Sequence, residues 1–375
     1  MKYKKINIKG FRGIKNAEID GLSRVNLFLG QNNCGKTSIL EAIFLLSGYN
    51  NANYVLNIDL SRQLFHNDEN DFSFIFFNLD YSNKLTLIGE YFDKDIVTLN
   101  ILPEDSRGQS RVIAEGNNTP SEYKESFPTS ISAETNNSSV NQLEFVATIK
   151  GFQKSKVEIR SKLIGAKIGA QFQITAKPDP KNPALKFPTL LQNSFNGNFA
   201  QLPKKLEKVV IEKKKEELID SLKIIDKKIL DITPLSSNMV YVDIGAKSLI
   251  PSNLMGDGFL KYLNTILNLN EAKGGIMLID ELDNGLHYKA LKSLWRILLK
   301  TARRLNIQLF ITTHSKEALI YLKDILNEDD YLDFQNEVRC FTISKLSDSE
   351  LKAYNYDFSA FEYAIDNDVE IRGEV

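Results

Sequence analysis

The clearest chemical signal in the chain is Gly30-Gln31-Asn32-Asn33-Cys34-Gly35-Lys36-Thr37, a G-x-x-x-x-G-K-T loop. Glycines at both ends let the backbone turn tightly enough for its N–H groups to point inward. Lys36 has the charge and reach for β- and γ-phosphates, and the Thr37 hydroxyl can hold Mg²⁺. Far along the chain, the apolar run Ile276–Ile279 closes on two acids, Asp280 and Glu281. An Asp at a strand end can join the Mg²⁺ shell, and the Glu beside it can orient a water for in-line attack on the γ-phosphate. Phe310-Ile311-Thr312-Thr313 ends in His314, where an imidazole can hydrogen-bond the same phosphate. Leu254-Met255-Gly256-Asp257-Gly258 opens an amphipathic run. It reads either as a further anion site at a helix start or as a capped turn with Asp257 or Gly256 near the cap. His287 and His66 have no such setting. Together these residues point to Mg²⁺-dependent hydrolysis of ATP.

That chemistry needs a strand before the loop and a helix after it. Asn26–Leu29 supplies the strand, and Ile39, Leu40, Ile43 and Phe44 fall at helical spacing. Ile276–Ile279 and Ile307–Thr312 suit buried parallel strands. Tyr288–Arg304 reads as an amphipathic helix through Leu291, Leu294, Trp295 and Leu298. Residues 3–9 alternate as a strand does, and Ala17–Leu22 forms a second one. Phe72–Leu79, Lys84–Glu90 and Asp95–Leu102 predict an antiparallel section, continued by Leu143–Ile149 and Val157–Ile164. Residues 105–141, rich in Ser, Asn, Thr and Glu, predict a long flexible loop. Lys177–Asn198, with Pro178, Pro180, Pro183 and Pro188, predicts irregular structure. In Leu206–Leu230 the stripe Ile211, Leu218, Leu222, Ile225 and Ile229 runs among Lys and Glu, as in a charged amphipathic helix. That helix either protrudes as an arm or lies on its own domain. Met239–Ile244 resumes β character, and Val338–Ser344 alternates like an edge strand. The predicted organisation is a core made of residues 1–60 and 235–375, a β-rich variable insertion at 60–200 and a helical arm at 200–232.

A chain of 375 residues, 42% of them apolar, can bury a full core and carry more than one lobe. The net charge of −1 argues against capture of nucleic acid by the whole protein, leaving only a local basic surface open. Cys34 and Cys340 form no C-x-x-C pair, so neither a disulfide framework nor a zinc site is expected. No apolar run approaches a membrane span, and a cytoplasmic protein is expected.

The order of the motifs resembles the ABC-type ATPase heads of the SMC, RecF and OLD class. It most resembles the bacterial AAA family ATPases akin to the OLD ATPase domain and to the ATPases of retron and abortive-infection systems. The resemblance rests on Ile8–Gly13, Gly30–Glu41, Met255–Gly258, Asp280–His287 and Thr312–Ser315, and the ending Glu370-Ile371-Arg372-Gly373 is also similar. It covers both ends of the chain and hardly touches residues 60–200.

This resemblance implies an α/β fold, an ABC-type P-loop NTPase head with a mainly parallel core sheet, an antiparallel β lobe and a helical insertion. It implies that Gly30, Asn32, Asn33, Cys34, Gly35, Lys36, Thr37 and Ser38 form the phosphate loop, with Thr37 and Asp280 on Mg²⁺ and Arg12 near the nucleotide. By the same resemblance Glu281 is the catalytic base, Asp283 belongs to the D-loop and His314 is the switch histidine. Gly256 and Gly258 would touch the γ-phosphate of the opposite subunit in a homodimer closed around ATP. Gln63 is the candidate for a Mg²⁺-sensing glutamine. Met255 stands where the Leu-Ser-Gly-Gly signature has Ser, so a hydroxyl contact is missing or comes from Ser252, and slow hydrolysis is expected. The absence of a long coiled coil speaks against a true SMC. The 61 residues after His314 lack an acidic triad, so no TOPRIM nuclease domain is expected. The functional expectation is an ATP-driven sensor or scaffold that controls a separately encoded nuclease or toxin in anti-phage defence. The alternatives are a RecF-like repair ATPase that binds DNA directly and a nucleotide-dependent interaction module with negligible turnover.

Overall fold

The computed structural model describes residues 2–64, 69–104, 142–151, 156–168, 171–178, 185–193, 199–235, 239–346 and 350–373. The chain opens with β1 (Tyr3–Phe11), β2 (Ile14–Asp20) and β3 (Val25–Leu29), followed by α1 (Lys36–Ser47) and α2 (Asn53–Ser61). An antiparallel series follows: β4 (Leu85–Tyr91), β5 (Ile96–Glu104), β6 (Gln142–Lys150), β7 (Lys156–Ile168) and β8 (Gln171–Pro178). Next come β9 (Thr189–Gln192), α3 (Leu202–Ile211), α4 (Lys215–Lys223), β10 (Asp231–Leu235), β11 (Met239–Asp243) and β12 (Ile250–Pro251). The last part holds α5 (Asp257–Glu271), β13 (Ile276–Ile279), α6 (Tyr288–Arg304), β14 (Gln308–Thr312), α7 (Lys316–Leu326), β15 (Val338–Lys345), β16 (Glu350–Tyr356) and α8 (Phe358–Asp366).

Among the described residues, one sheet runs in the order β8-β7-β6-β5-β4-β1-β2-β16-β15-β3-β14-β13-β9. From β15 to β9 every neighbouring pair is parallel. From β1 through β8 the pairs are antiparallel, which is the antiparallel β lobe expected from the sequence. β3, β13 and β14 are buried at every position. Their unbroken apolar runs are what parallel strands covered on both faces require. One face packs on α3 to α8 around Trp295, and the other on α1, α2 and the antiparallel strands. Two buried amides pin the strand entrances. Gln308 Nε2 donates to the Tyr3 and Ser23 carbonyls, both at 2.7 Å, and Asn26 Nδ2 donates to the Leu309 carbonyl at 3.0 Å.

The structure corrects four expectations from the sequence. Phe72–Leu79 is not a strand but part of two short 3₁₀ turns, Glu69–Ile75 and Phe77–Leu79, and Phe72, Ile75 and the intervening Phe76 anchor the segment in the core. Val338–Lys345 is not an edge strand, because β16 pairs with the side that β3 leaves free. Leu206–Leu230 is not one protruding helix. Lys213, at φ 59°, breaks it between α3 and α4, and Leu206, Leu218, Leu222 and Ile229 enter the same core as α5 and α6. Lys177–Asn198 is not wholly irregular, because it contains β9, the strand next to β13. A side chain at Gly275 would put its Cβ 1.9 Å from the Pro188 carbonyl, so this approach requires glycine. One strand of the core sheet thus comes from inside the stretch assigned to the insertion. The loop expected at 105–141, and His66, lie outside the described residues.

Candidate nucleotide-binding site

The phosphate loop leaves β3 at Gly30, and α1 begins at Lys36. Gly30 has φ 151°, and a Cβ there would lie 2.5 Å from Cys34 Sγ and 2.7 Å from the Ile343 carbonyl. Gly35, at φ 100°, occupies the left-handed region that only glycine enters freely. Cys34 is buried inside the loop, while Asn32 and Asn33 are exposed at its tip and Ser38 is half-buried. The Lys36 ammonium curls back into the loop, donating to the Gly30 carbonyl at 2.9 Å and the Gln31 carbonyl at 2.8 Å. Burial holds it below the ordinary lysine value.

Three neighbouring parallel strands deliver the remaining groups to this point. Thr37 Oγ1 lies 3.1 Å from both Asp280 oxygens. Thr312, at the end of β14, donates to Asp280 Oδ1 at 2.7 Å and accepts from the Glu281 backbone N–H at 2.7 Å. Glu281 sits at φ 49°, a conformation a glutamate rarely adopts. It is fixed there by Lys261 of α5, which donates to the Glu281 carbonyl at 2.5 Å and the Asn284 carbonyl at 2.9 Å. Thr313 bonds Asp283 and also accepts from the Ser315 N–H at 3.1 Å. His314 is half-buried between these pairs. Burial, and then the Lys36 charge, push its imidazole below the ordinary value, while Glu281, Asp283 and Asp280 pull the other way.

Arg12 stands behind the loop. Its guanidinium lies 3.4 Å from Glu41 on α1 and 3.2 Å from Asp59 on α2, and Arg62 meets Glu41 from the other side at 2.5 Å. Burial pushes the Glu41 carboxyl up, and the two guanidinium groups oppose that. Gln63, at φ 57°, is exposed just past the end of α2, and its side chain has no hydrogen bond among the described residues. The glutamine placed beside Asp280 is Gln192, whose carbonyl accepts from the Asp280 N–H at 2.9 Å. Its amide donates to Thr265 at 2.8 Å. The proline-rich setting of Gln192 hid it from sequence reading.

The turn at Met255–Gly258 is not hydrogen-bonded to the phosphate loop. Gly256, at φ 90°, precedes the first residue of α5, and Asp257 is exposed. Gly258 packs on the adjoining segment, where a Cβ would lie 2.5 Å from the Gly285 carbonyl. Ser252 is only 2% exposed, so its hydroxyl does not replace the missing serine at this surface. His287 is exposed before α6 and lies against Tyr288. Sequence reading also missed the C-terminal segment as part of this site. Arg372 donates to the His314 carbonyl at 3.3 Å, and Gly373 lies against Gly30 and Gln31. Thr312 and Lys261 were missed too. Two threonines before His314, and a lysine one turn into α5, were the available signals.

Several known proteins are similar to this chain. The family model described as "AAA domain, putative AbiEii toxin, Type IV TA system" matches residues 25–320. A Helicobacter pylori protein described as an ATP/GTP phosphatase is 24% identical over 382 residues, covering 98% of this chain and 99% of its own. The DNA replication and repair protein RecF of Shewanella frigidimarina is 36% identical over 95 residues, 25% of this chain and 22% of its own length. Among solved structures, the SMC head domain from Thermotoga maritima aligns with 95% of this chain and 100% of its own at 12% identity and a TM-score of 0.42.

Proposed function

This chain belongs to the AAA-domain family whose model spans residues 25–320, and from that premise we propose that it is an ATPase of the ABC type. In this reading it hydrolyses ATP with Mg²⁺ at the strand-end site and pairs with a second copy across bound ATP. Through that pairing it controls a separate effector, a nuclease or toxin, in anti-phage defence.

The observation that carries the catalytic part is the contact of Thr37 with both Asp280 oxygens at 3.1 Å. A hydroxyl and a carboxylate held together form an oxygen donor set that suits a hard cation, and these two residues would hold Mg²⁺. When bound there, Mg²⁺ neutralises charge on the β- and γ-phosphates. Lys36 exchanges the Gly30 and Gln31 carbonyls for those phosphates, and the loop N–H groups from Asn32 to Ser38 line the rest of the anion. Glu281 orients the attacking water and accepts its proton. His314, neutral at pH 7, donates one N–H to the γ-phosphate. Asp283, tied to Thr313, relays the state of this strand end to the neighbouring turn. Arg12 holds the back of α1 from its place near the nucleotide. Gln192, rather than Gln63, couples the metal site to the helical side.

Pairing is supported by the turn before α5. Leu254 is 76% exposed beside Gly256 and Asp257, an apolar contact waiting beside a helix start. The family's description, which names a putative AbiEii toxin and a Type IV TA system, supports action alongside a second, separately encoded protein. Glu281→Gln tests the core of the reading. It should retain ATP and lower turnover by about a hundredfold or more, and EDTA should stop turnover of the unmodified chain. Turnover at the unmodified rate in either experiment refutes the mechanism.

A further inference from the structure

Among the described residues the sheet ends at β9. β9 pairs with β13 in the register Ile276↔Thr189 to Ile279↔Gln192. The Ile276 N–H donates to the Pro188 carbonyl and the Asp280 N–H to the Gln192 carbonyl, both at 2.9 Å. Even-numbered residues of this strand therefore turn their main-chain groups toward β13. In a parallel ladder the alternate residues turn theirs away, so the N–H and C=O of Thr189 and Leu191 point to the outer side. Among the described residues no strand pairs there. Edge strands are usually blunted by charge, an internal proline or a bulge, and Thr-Leu-Leu-Gln has none of these.

A cavity of about 700 Å³ lies along this edge. Thr189, 6% exposed, lines it, and its Oγ1 has no hydrogen-bond partner among the described residues. Such a buried hydroxyl is costly to leave unpaired. The two walls differ. Tyr54 and Leu60 of α2, with Phe44 of α1, make one of them apolar. The other carries Lys205, Asn268 and Glu271. Lys205 donates to Asn268 and to Asn264, and its ion-pair partner Glu271, at 3.8 Å, is held closer by Lys208 at 2.6 Å, outside the cavity, so the Lys205 charge is only partly offset.

We propose that the outer edge of β9 docks an extended peptide of a partner protein, which joins the sheet as a further strand and turns an acidic side chain toward Lys205. Main-chain pairing uses the outward groups of Thr189 and Leu191. Alternation along the added strand puts every second side chain against Phe44 and Tyr54 and the others on the basic wall, so the fitting sequence alternates apolar and acidic residues. Because the Gln192 carbonyl holds the Asp280 N–H, an added strand also stiffens the strand end that carries the metal-site carboxylate. The inference rests on the reading that this head acts through a partner.

The probe is a library of end-blocked hexapeptides on the full chain, apolar at alternate positions and Glu or Lys between, read by fluorescence anisotropy and amide exchange. Glu peptides should bind and slow exchange at Thr189 and Leu191, while Lys peptides and N-methylated copies should not. Leu191→Pro removes an outward N–H and no ladder bond. It should weaken Glu-peptide binding at least about tenfold, with basal ATPase unchanged, while Leu191→Ala, which keeps the N–H but loses the same core packing, should bind the Glu peptides more tightly than Leu191→Pro does. Lys205→Met should erase the preference for Glu over Lys. Equal binding of N-methylated peptides, or no binding from the library, overturns the proposal. So does slow exchange at Thr189 and Leu191 in the free chain, which would mean its own residues cover the edge. Displacement of the peptides by free glutamate or inorganic phosphate would reassign the cavity to a small anion. Peptide binding by a chain whose Glu281→Gln variant still turns over would leave the dock standing and remove the ATPase mechanism. An intact ATPase mechanism without peptide binding would do the reverse.

Discussion

The strand-end site and the turn before α5 are built in opposite ways. At the strand ends, Thr37, Asp280, Thr312 and the Glu281 backbone satisfy one another within a single chain, at 2.7–3.1 Å and largely out of solvent. At the turn, Leu254, Gly256 and Asp257 face outward, and the inner glycine, Gly258, is committed to its own neighbour Gly285. The first region is pre-organised before any ligand arrives, which is what lets fixed dipoles act on developing charge without reorganisation. The second presents apolar and backbone groups that gain a role only when another surface meets them. On the proposed reading, one fold thus separates a part that does chemistry from a part that meets a second copy.

The largest test of this contrast is Asp280→Ala. It removes the acceptor shared by Thr37 and Thr312 and should lower ATP hydrolysis by roughly 10²–10³, measured as phosphate release, in the monomer and in any assembly alike. A loss that disappears when heads are concentrated would mean that the strand-end site is not complete within one chain.

How far these regions could be read in advance follows the same division. The glycines, Lys36 and the acids after Ile279 are local patterns whose physics is written in consecutive residues, and the structure brings Thr37 and Asp280 together across 243 positions. No helix among the described residues is long and apolar enough to cross a membrane. Long-range partners left weaker traces. β9 is four residues inside a proline-rich stretch, and only the missing side chain of Gly275 lets it lie beside β13. The charged stripe from Leu206 to Ile229 was legible as amphipathic, but the break at Lys213 was not, since a lysine with positive φ is set by packing rather than by propensity. Gly373 reaches the phosphate loop only because the chain end passes beside Thr342.

A middle-sized effect separates the two faces of the α5 turn. Gly258→Ala sets a methyl group 2.5 Å from the Gly285 carbonyl, so it should cost about 1–3 kcal/mol of stability and be seen in chemical denaturation. Leu254→Glu changes an exposed residue and should stay within about 0.5 kcal/mol. It should nevertheless abolish the rise in mass that ATP produces in a Glu281→Gln background, read by light scattering. If both variants destabilise alike, the turn is a structural cap. If Leu254→Glu still assembles with ATP, the second copy meets the head elsewhere.

The smallest effect concerns His314 and measures how closed the strand-end site is. Burial and the Lys36 ammonium both disfavour the imidazolium, so the native ring binds its proton less tightly than the unfolded chain does. Its midpoint in the nucleotide-free protein should therefore fall below the ordinary value of about 6.5. The unfolded state then holds more protons through the interval beneath that value. The contribution to stability is present above it and is lost as pH falls through the native midpoint. Only three histidines occur in the chain, so their ring signals can be followed separately by NMR. Lys36→Met removes a nearby positive charge and should raise the His314 midpoint. Arg372→Ala frees the carbonyl that Arg372 holds at 3.3 Å and lets water reach the ring, so it should move the midpoint in the same direction by less. Leu254→Glu, on the waiting side, should not move it. A shift with Leu254→Glu as large as that with Lys36→Met would mean that the two regions are coupled within one chain, and that the exposed turn is already part of the closed site.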